Sequence, residues 1–105
     1  MKIFRHPILL ETACGHDGQE SVLKKLVNIA KNSGAKQIKF QIFNIDERAE
    51  PNTKEYKIFK PLILNENTWK KILSYSKKQN LSVFADVYGD YSFNLAKQNI
   101  VFGYK

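Results

Sequence analysis

The sequence is poor in the features that mark secreted and membrane proteins. It has a single cysteine, Cys14, which cannot form an internal disulfide and therefore favours a reducing compartment. No apolar run approaches the ~20 residues that a membrane-crossing helix needs. The first residues lead into only a short apolar run, without the small-residue cleavage site of a signal peptide. We therefore expect a cytoplasmic protein that does not bind a membrane.

Arginine is also scarce, although the chain carries a net charge of +7. Of the 17 basic residues 15 are lysines, and only Arg5 and Arg48 are arginines. The sequence thus lacks the arginine clusters, and the interleaved aromatic and basic residues, that nucleic-acid binding uses. Pairs such as Lys24-Lys25 are typical of solvated helix faces. We therefore expect no nucleic-acid partner. The positive net charge is also consistent with a half-domain of a larger protein or with a site for an anionic substrate.

Strand-like and helix-like patterns alternate along the chain. Strands are predicted at Ile8–Cys14, Gln37–Phe43, Ser82–Val87 and Ile100–Tyr104. Helices are predicted from about Gln19 to Asn32, from an N-cap at Asn65 to near Asn80, and from Ser92 to Gln98. About twenty polar residues after Phe43 show no long periodic element. This order is typical of βαβ units, so we expect a parallel sheet, either open and doubly wound or closed into an eight-stranded barrel.

In both architectures the chemistry lies beyond the carboxyl ends of the strands. The second strand is the most informative candidate. Ile38, Phe40 and Ile42 can cover its helix-facing side, which leaves Lys39 and Gln41 on the opposite side. A lysine in that position keeps its charge if an anion or a carboxylate lies nearby. Lys39 and Gln41 are therefore candidate ligand-binding residues.

Three further residues are candidates, each with a plainer alternative. Glu11 lies in an apolar strand and either faces a polar cavity or forms a structural ion pair. His16, in the turn Gly15–Gly18, could be a ligand, a proton carrier or a hydrogen-bonded loop residue. Lys105 ends the last strand and, taken alone, would simply be solvated. The residues by themselves do not decide between these readings.

Taken together, Glu11, the GHDG turn, a helix ending in NSGAK and a strand reading IKFQ resemble the sialic acid (N-acetylneuraminate) synthase family. That family opens with a glutamate, an NHxG-type turn, a helix ending in a G-A-D-like step and a V-K-F-Q-like strand. The order and spacing agree from Glu11 to Gln41, and the match continues more loosely to Lys105. The resemblance implies an α/β fold, part of a TIM (β/α)8 barrel, with about four parallel strands and three helices. Residues 1–105 would then form the N-terminal half of the barrel domain.

The resemblance also implies a reaction. Members join phosphoenolpyruvate to an N-acetylmannosamine-type sugar, releasing phosphate and forming a nonulosonic acid. Lys39 and Lys105 match lysines that hold phosphoenolpyruvate, and Glu11 matches a glutamate on the sugar side. Gln41 is expected to bind substrate, and Glu11 and His16 to take part in catalysis. A divalent metal, manganese or magnesium, is implied, with ligands outside this chain, and the complete enzyme is expected to be a homodimer.

The chain departs from the family pattern in its turn, its third strand and its length. Gly15 stands where the family has asparagine, and Asp86 and Val87 replace hydroxyl residues that help to hold phosphate. We therefore expect a fragment, a truncated product or one part of a split enzyme, inactive alone. Two alternatives stay open: a related phosphoenolpyruvate-dependent aldol synthase for another sugar acid, and a non-catalytic half-barrel that binds an anion or a partner protein.

Overall fold

A computed structural model describes residues 8–105, in which four strands form one parallel sheet. The strands are β1 (Leu9–Glu11), β2 (Gln37–Ile42), β3 (Ser82–Val87) and β4 (Gly103–Tyr104), in the spatial order β1-β2-β3-β4. Each strand thus lies beside its predecessor in sequence, as successive strands do in a (β/α)8 barrel. The expected parallel α/β architecture is confirmed.

The two outer strands are shorter than expected. β1 ends at Glu11, because Ala13 has a φ of 49° and leaves the extended conformation, so Cys14 lies in a turn. Beyond β4, the Lys105 amide still donates to the Ala85 carbonyl at 2.8 Å, so pairing with β3 continues for another residue. The boundaries of β3 agree with the prediction.

The chain has five α-helices in its described part, where about three were expected. They are α1 (Glu20–Asn32), α2 (Ile45–Arg48), α3 (Lys54–Phe59), α4 (Glu66–Lys78) and α5 (Asp90–Gln98). The expected count is corrected by α2 and α3, which, with a 3-10 turn at Lys60–Leu62, occupy the stretch after Phe43. They escape periodicity analysis because four to six residues are too few to repeat a helical pattern.

α1 and α4 begin and end close to the predicted residues, whereas α5 begins at Asp90, two residues before the predicted Ser92. The Asn65 side chain accepts a hydrogen bond from the Thr68 amide at 2.8 Å and so caps α4. After α1 the chain turns at Gly34, whose φ of 86° is the left-handed conformation that glycine adopts most readily. α1 buries Leu23 and Val27 completely against the core.

The core lies between the sheet and the helices. Ile38, Phe40 and Ile42 of β2 are fully buried, and the Phe40 ring meets the Trp69 ring of α4 edge to face at a centroid distance of 5.7 Å. Burying each such side chain contributes roughly 1.5–3 kcal/mol. The alternation predicted for β2 is confirmed, and the helices cover the predicted side of this strand.

The opposite side of the sheet, which we call the lumen face, is only partly covered in the described part of the chain. The β2 residues that point to it (Gln37, Lys39 and Gln41) are only half-buried. Phe43, which follows β2, is the exception: it is buried by aromatic neighbours. Within residues 8–105, no helix is both long enough and apolar enough to cross a membrane.

Candidate active site on the lumen face

The register of the strands brings polar residues together on the lumen face. Lys39 pairs in register with Glu11 of β1 and with Phe84 of β3. Two residues further along, Gln41 pairs with Asp86. Because side chains paired in register lie on the same face of a sheet, Glu11 with Lys39 and Gln41 with Asp86 form two polar rows near the carboxyl ends of the strands. This is the end where α/β enzymes hold their substrates.

Lys39 and Glu11 form an ion pair. The Lys39 Nζ lies 3.0 Å from Glu11 Oε1, and Glu11 Oε2 accepts a hydrogen bond from the Ala13 amide at 3.0 Å. The Lys39 side chain is 18% exposed and that of Glu11 is 38% exposed, so solvent screens the pair and it contributes at most about 1 kcal/mol. The carboxylate expected beside Lys39 is thus present, and it comes from Glu11 itself.

Gln41 is bonded to the single cysteine. Cys14 Sγ donates to Gln41 Oε1 at 3.2 Å, which joins the turn after β1 to β2. Burial raises the pKa of the Cys14 thiol; the positive charge of Arg48 opposes this shift, and the negative charge of Glu11 adds to it. Cys14 therefore remains a thiol at neutral pH and acts as a hydrogen-bond donor that orients the Gln41 amide.

Lys105 continues the sheet beside Asp86. Its carbonyl accepts from the Val87 amide at 3.0 Å, and its side chain is exposed. The preceding Tyr104 packs on Phe93 of α5 at a centroid distance of 5.0 Å, on the helix side. Strand alternation therefore directs Lys105 to the lumen face. Glu11, Lys39, Gln41 and Lys105 thus share one face.

His16 does not join this group. Its ring is fully buried and stands perpendicular to the Trp69 ring, at a centroid distance of 6.2 Å, on the helix side of the sheet. Nδ1 accepts a hydrogen bond from the Gly18 amide at 2.9 Å, so the proton of the neutral ring is on Nε2, which has no hydrogen-bond partner. Burial lowers the pKa of His16, and the nearby Asp17 opposes that shift. The catalytic role expected for His16 stays a prediction.

Arg48 is the main residue that sequence reasoning missed. Its guanidinium carbon lies 4.8 Å from the ring centroid of Phe43, 4.3 Å from that of Phe59 and 4.5 Å from that of Tyr88. Its Nη1 atom is buried and has no hydrogen-bond partner. One signal was available: Arg48 is one of two arginines in a chain whose other cationic side chains are lysines.

Tyr88 links Arg48 to the polar rows. Its hydroxyl donates to Asp86 Oδ2 at 3.2 Å. Burial raises the pKa of Tyr88 to about 12; Arg48 opposes the shift, and Asp86 adds to it. The phenol is therefore protonated at neutral pH, and it presents Asp86 with a hydrogen bond rather than a second negative charge.

The ligands of the metal implied by the resemblance are expected outside this chain, and that expectation stays a prediction. Within residues 8–105, no three His, Cys, Asp or Glu side chains come close enough together to hold a metal ion. The lumen face can bind anions through its cations and polar groups through Glu11, Gln41 and Asp86.

Parallel strands in sequential order, with polar residues at their carboxyl ends, are typical of one part of a (β/α)8 barrel. The N-acetylneuraminic acid (sialic acid) synthetase of Leptospira borgpetersenii serovar Hardjo-bovis, solved with citrate, has a similar structure, with a TM-score of 0.82 and 22% identity over 96% of this chain and 38% of that one. The putative spore coat polysaccharide biosynthesis protein E of Chromobacterium violaceum is also similar in structure, with a TM-score of 0.73. The two proteins are 19% identical over 87% of this chain and 30% of that one.

A third solved structure, the spore coat polysaccharide biosynthesis protein SpsE of Bacillus subtilis, gives a TM-score of 0.65 with 20% identity over 90% of this chain and 28% of that one. At these identities the likeness shows a shared fold, which confirms the resemblance at that level. The uncharacterized protein MJ1065 of Methanocaldococcus jannaschii is 32% identical over 71 residues, 68% of this chain and 21% of that protein. The chain therefore spans about a fifth of this curated relative. No protein-family model matches the present chain.

Proposed function

We propose that this chain supplies the N-terminal half of the catalytic barrel of an N-acetylneuraminate synthase-like enzyme of carbohydrate biosynthesis. Such an enzyme joins phosphoenolpyruvate to an N-acetylated amino sugar and releases phosphate. One observation carries the proposal: Lys39 lies on the lumen face beside Glu11, near the carboxyl ends of strands whose fold is shared with a sialic acid synthetase. That synthetase was solved with citrate, itself a small anion, which is consistent with anion binding in this fold.

Lys39 and Glu11 have complementary roles in this proposal. Phosphoenolpyruvate carries a phosphate and a carboxylate, and Lys39 is placed to bind the phosphate. Because Lys39 is already paired with Glu11 at 3.0 Å, an entering phosphate must compete with that carboxylate or share the ammonium group with it. A glutamate released from its lysine can accept hydrogen bonds from sugar hydroxyls. Lys105, at the end of the fourth strand, supplies a second positive charge on the same face.

Replacing Lys39 by alanine tests the assignment. A charge-assisted contact to phosphate contributes roughly 1.5–3 kcal/mol, so Lys39→Ala is expected to weaken phosphoenolpyruvate binding by about tenfold or more. Calorimetric titration of the 105-residue chain measures this affinity. Lys25→Ala is the matched control, because it removes the same charge from the exposed side of α1. Equal losses in both variants, or no loss in either, would show that Lys39 is not the phosphate residue.

Glu11→Gln sharpens the test, because it removes the competing carboxylate and keeps the shape of the side chain. The variant is expected to bind phosphoenolpyruvate more tightly than the wild type. In the Glu11→Gln background, Lys39→Ala removes a cation without leaving an unpaired carboxylate at position 11. The loss of affinity then reports the phosphate contact alone. Weaker binding in Glu11→Gln would mean that Glu11 contacts the substrate and does not compete with it.

The acceptor sugar is the open part of the proposal. Asp86 lies in the polar row beside Gln41, where the family has hydroxyl side chains, and its carboxylate repels phosphate but accepts hydrogen bonds from sugar hydroxyls. This favours a related synthase with a different sugar acid as the second candidate. A screen of N-acetylated and other aldoses with the complete protein, measured by phosphate release, separates the two.

A further inference from the structure

We propose that Arg48 is a second anion-binding residue of this site, and that it binds the substrate carboxylate while Lys39 binds the phosphate. The inference rests on the proposed function and deepens it. It assigns the two ends of a small phosphorylated carboxylic acid to two different cations. It starts from the surroundings of Arg48.

The aromatic box of Phe43, Phe59 and Tyr88 holds the guanidinium through ring faces rather than through carboxylates. All three ring centroids lie 4.3–4.8 Å from the guanidinium carbon, within the range of cation–π attraction. Within residues 8–105 the one ion pair is that between Lys39 and Glu11. The charge of Arg48 is therefore stabilised while its N–H groups remain without an acidic partner.

The unsatisfied Nη1 atom indicates that this donor set is incomplete. A guanidinium has five N–H donors, and a buried one without an acceptor is costly, by about 1–3 kcal/mol. Structural arginines normally bond to carboxylates or backbone carbonyls. Here Nη1 is buried and has no acceptor among the described residues, so a ligand can supply the acceptor that this donor lacks.

The position of the box places Arg48 beside the polar rows. Phe43 directly follows β2 and Tyr88 directly follows β3, so the box stands at the carboxyl ends of the two central strands. Tyr88 is bonded to Asp86, which pairs in register with Gln41. The influence of Arg48 on the Cys14 thiol is consistent with this placement, because Cys14 is bonded to Gln41.

The shape of the box favours a carboxylate over a phosphate. Rings that lie against a guanidinium restrict approach to its edge. A planar carboxylate can accept two parallel hydrogen bonds in the plane of that edge. A tetrahedral phosphate carries oxygens out of this plane, towards the rings. The flexible ammonium of Lys39 makes no such demand and suits the phosphate.

Pyruvate and inorganic phosphate separate the two roles, because each carries one of the anionic groups. We expect Arg48→Met to weaken pyruvate and phosphoenolpyruvate binding to the 105-residue chain by about tenfold and to change phosphate binding by less than about threefold. Lys39→Ala should weaken the binding of phosphate more than the binding of pyruvate. Arg48→Lys keeps a cation in the box without the planar fork, so it should fold like the wild type and still lose several-fold in pyruvate affinity. Ligand-observed NMR measures such weak binding.

Lys60→Met is the matched control, because Lys60 also lies over an aromatic ring, that of Tyr56, at 5.8 Å. It should leave all three affinities unchanged. The proposal for Arg48 is overturned if its variants lose pyruvate and phosphate equally, or lose neither, while Lys39→Ala still weakens phosphoenolpyruvate. If the wild-type chain binds none of the three anions, the proposed function fails together with this inference.

Discussion

At the scale of single residues, Lys39 and His16 differ in how buried they are and in which side chain lies beside them. Lys39 shares a half-open face with Glu11 and forms an ion pair with it. His16 is enclosed beside Trp69, and burial lowers its pKa. The sequence could predict the first environment, because alternation along β2 identifies the lumen face. It could not predict the second, because the turn after β1 folds His16 inward and no periodic pattern describes a turn.

The buried His16 should make stability depend on pH. Its folded-state pKa lies below its ordinary value of about 6.5, so the unfolded chain binds the proton more tightly. The contribution of neutral, buried His16 to the free energy of unfolding is therefore fully present above about pH 6.5. It is lost as the pH falls from there towards the folded-state pKa. Urea unfolding at pH 7.5 and pH 5.5, followed by Trp69 fluorescence, should show a lower free energy of unfolding at the acidic pH.

His16→Gln is the comparison, because glutamine does not titrate. The variant should be less stable at pH 7.5 and should lose much of the difference between the two pH values. If the wild type and His16→Gln show the same decrease on acidification, other groups cause it and His16 is not the buried base.

At the scale of elements, Glu47 connects two helices that are far apart in sequence. Its Oε1 accepts from the Asn44 amide at 3.2 Å, which completes the cap of α2. Its Oε2 accepts from the Ser92 amide at 3.2 Å and from Ser92 Oγ at 3.1 Å, in the first turn of α5. A Cβ at Gly89 would lie only 2.4 Å from that oxygen, so glycine permits the approach. Glu47 thereby fixes α2, the helix that carries Arg48.

The start of α2 carries a local sequence signal that the periodicity of the stretch after Phe43 does not reveal, whereas its contact with α5 carries none. Asn44 and Glu47 have the spacing of a capping box, a local signal that identifies a helix start even when the helix is one turn long. The contact between Glu47 and Ser92 joins residues that are 45 positions apart. No local pattern encodes such a pairing, and the same holds for the aromatic box around Arg48.

Glu47→Ala should destabilise the protein by roughly 1.5–3 kcal/mol, because it removes charge-assisted hydrogen bonds at two helix starts. Amide hydrogen exchange should accelerate most at Ser92 and near Asn44. Glu50→Gln is the control, since Glu50 is exposed and its replacement should stay within about 0.5 kcal/mol of the wild type. Uniformly faster exchange across β2 and β3 would show a global effect and not a local one.

At the scale of the molecule, the parallel strand order was predictable and the extent of the outer strands was not. Strands separated by helical segments give parallel neighbours with little ambiguity. Whether β1 reaches Cys14 depends on the backbone at Ala13, which the apolar run from Ile8 does not reveal. The lumen face is only partly covered in the described residues, and the solved proteins of the same fold are longer, with this chain covering 28–38% of them. The homodimer remains a proposal for the complete enzyme.

The central claim is that the lumen face, and not another basic surface, binds the anionic substrate. The competing surface is the groove between α1 and α4, which is lined by Lys24, Lys71 and Lys78 among others. Backbone amide NMR of the labelled chain during titration with phosphoenolpyruvate distinguishes them directly. We predict saturable shifts at Glu11, Lys39, Gln41 and Asp86, with none in the groove. Shifts confined to the groove lysines, or no saturable shifts at all, would contradict the account.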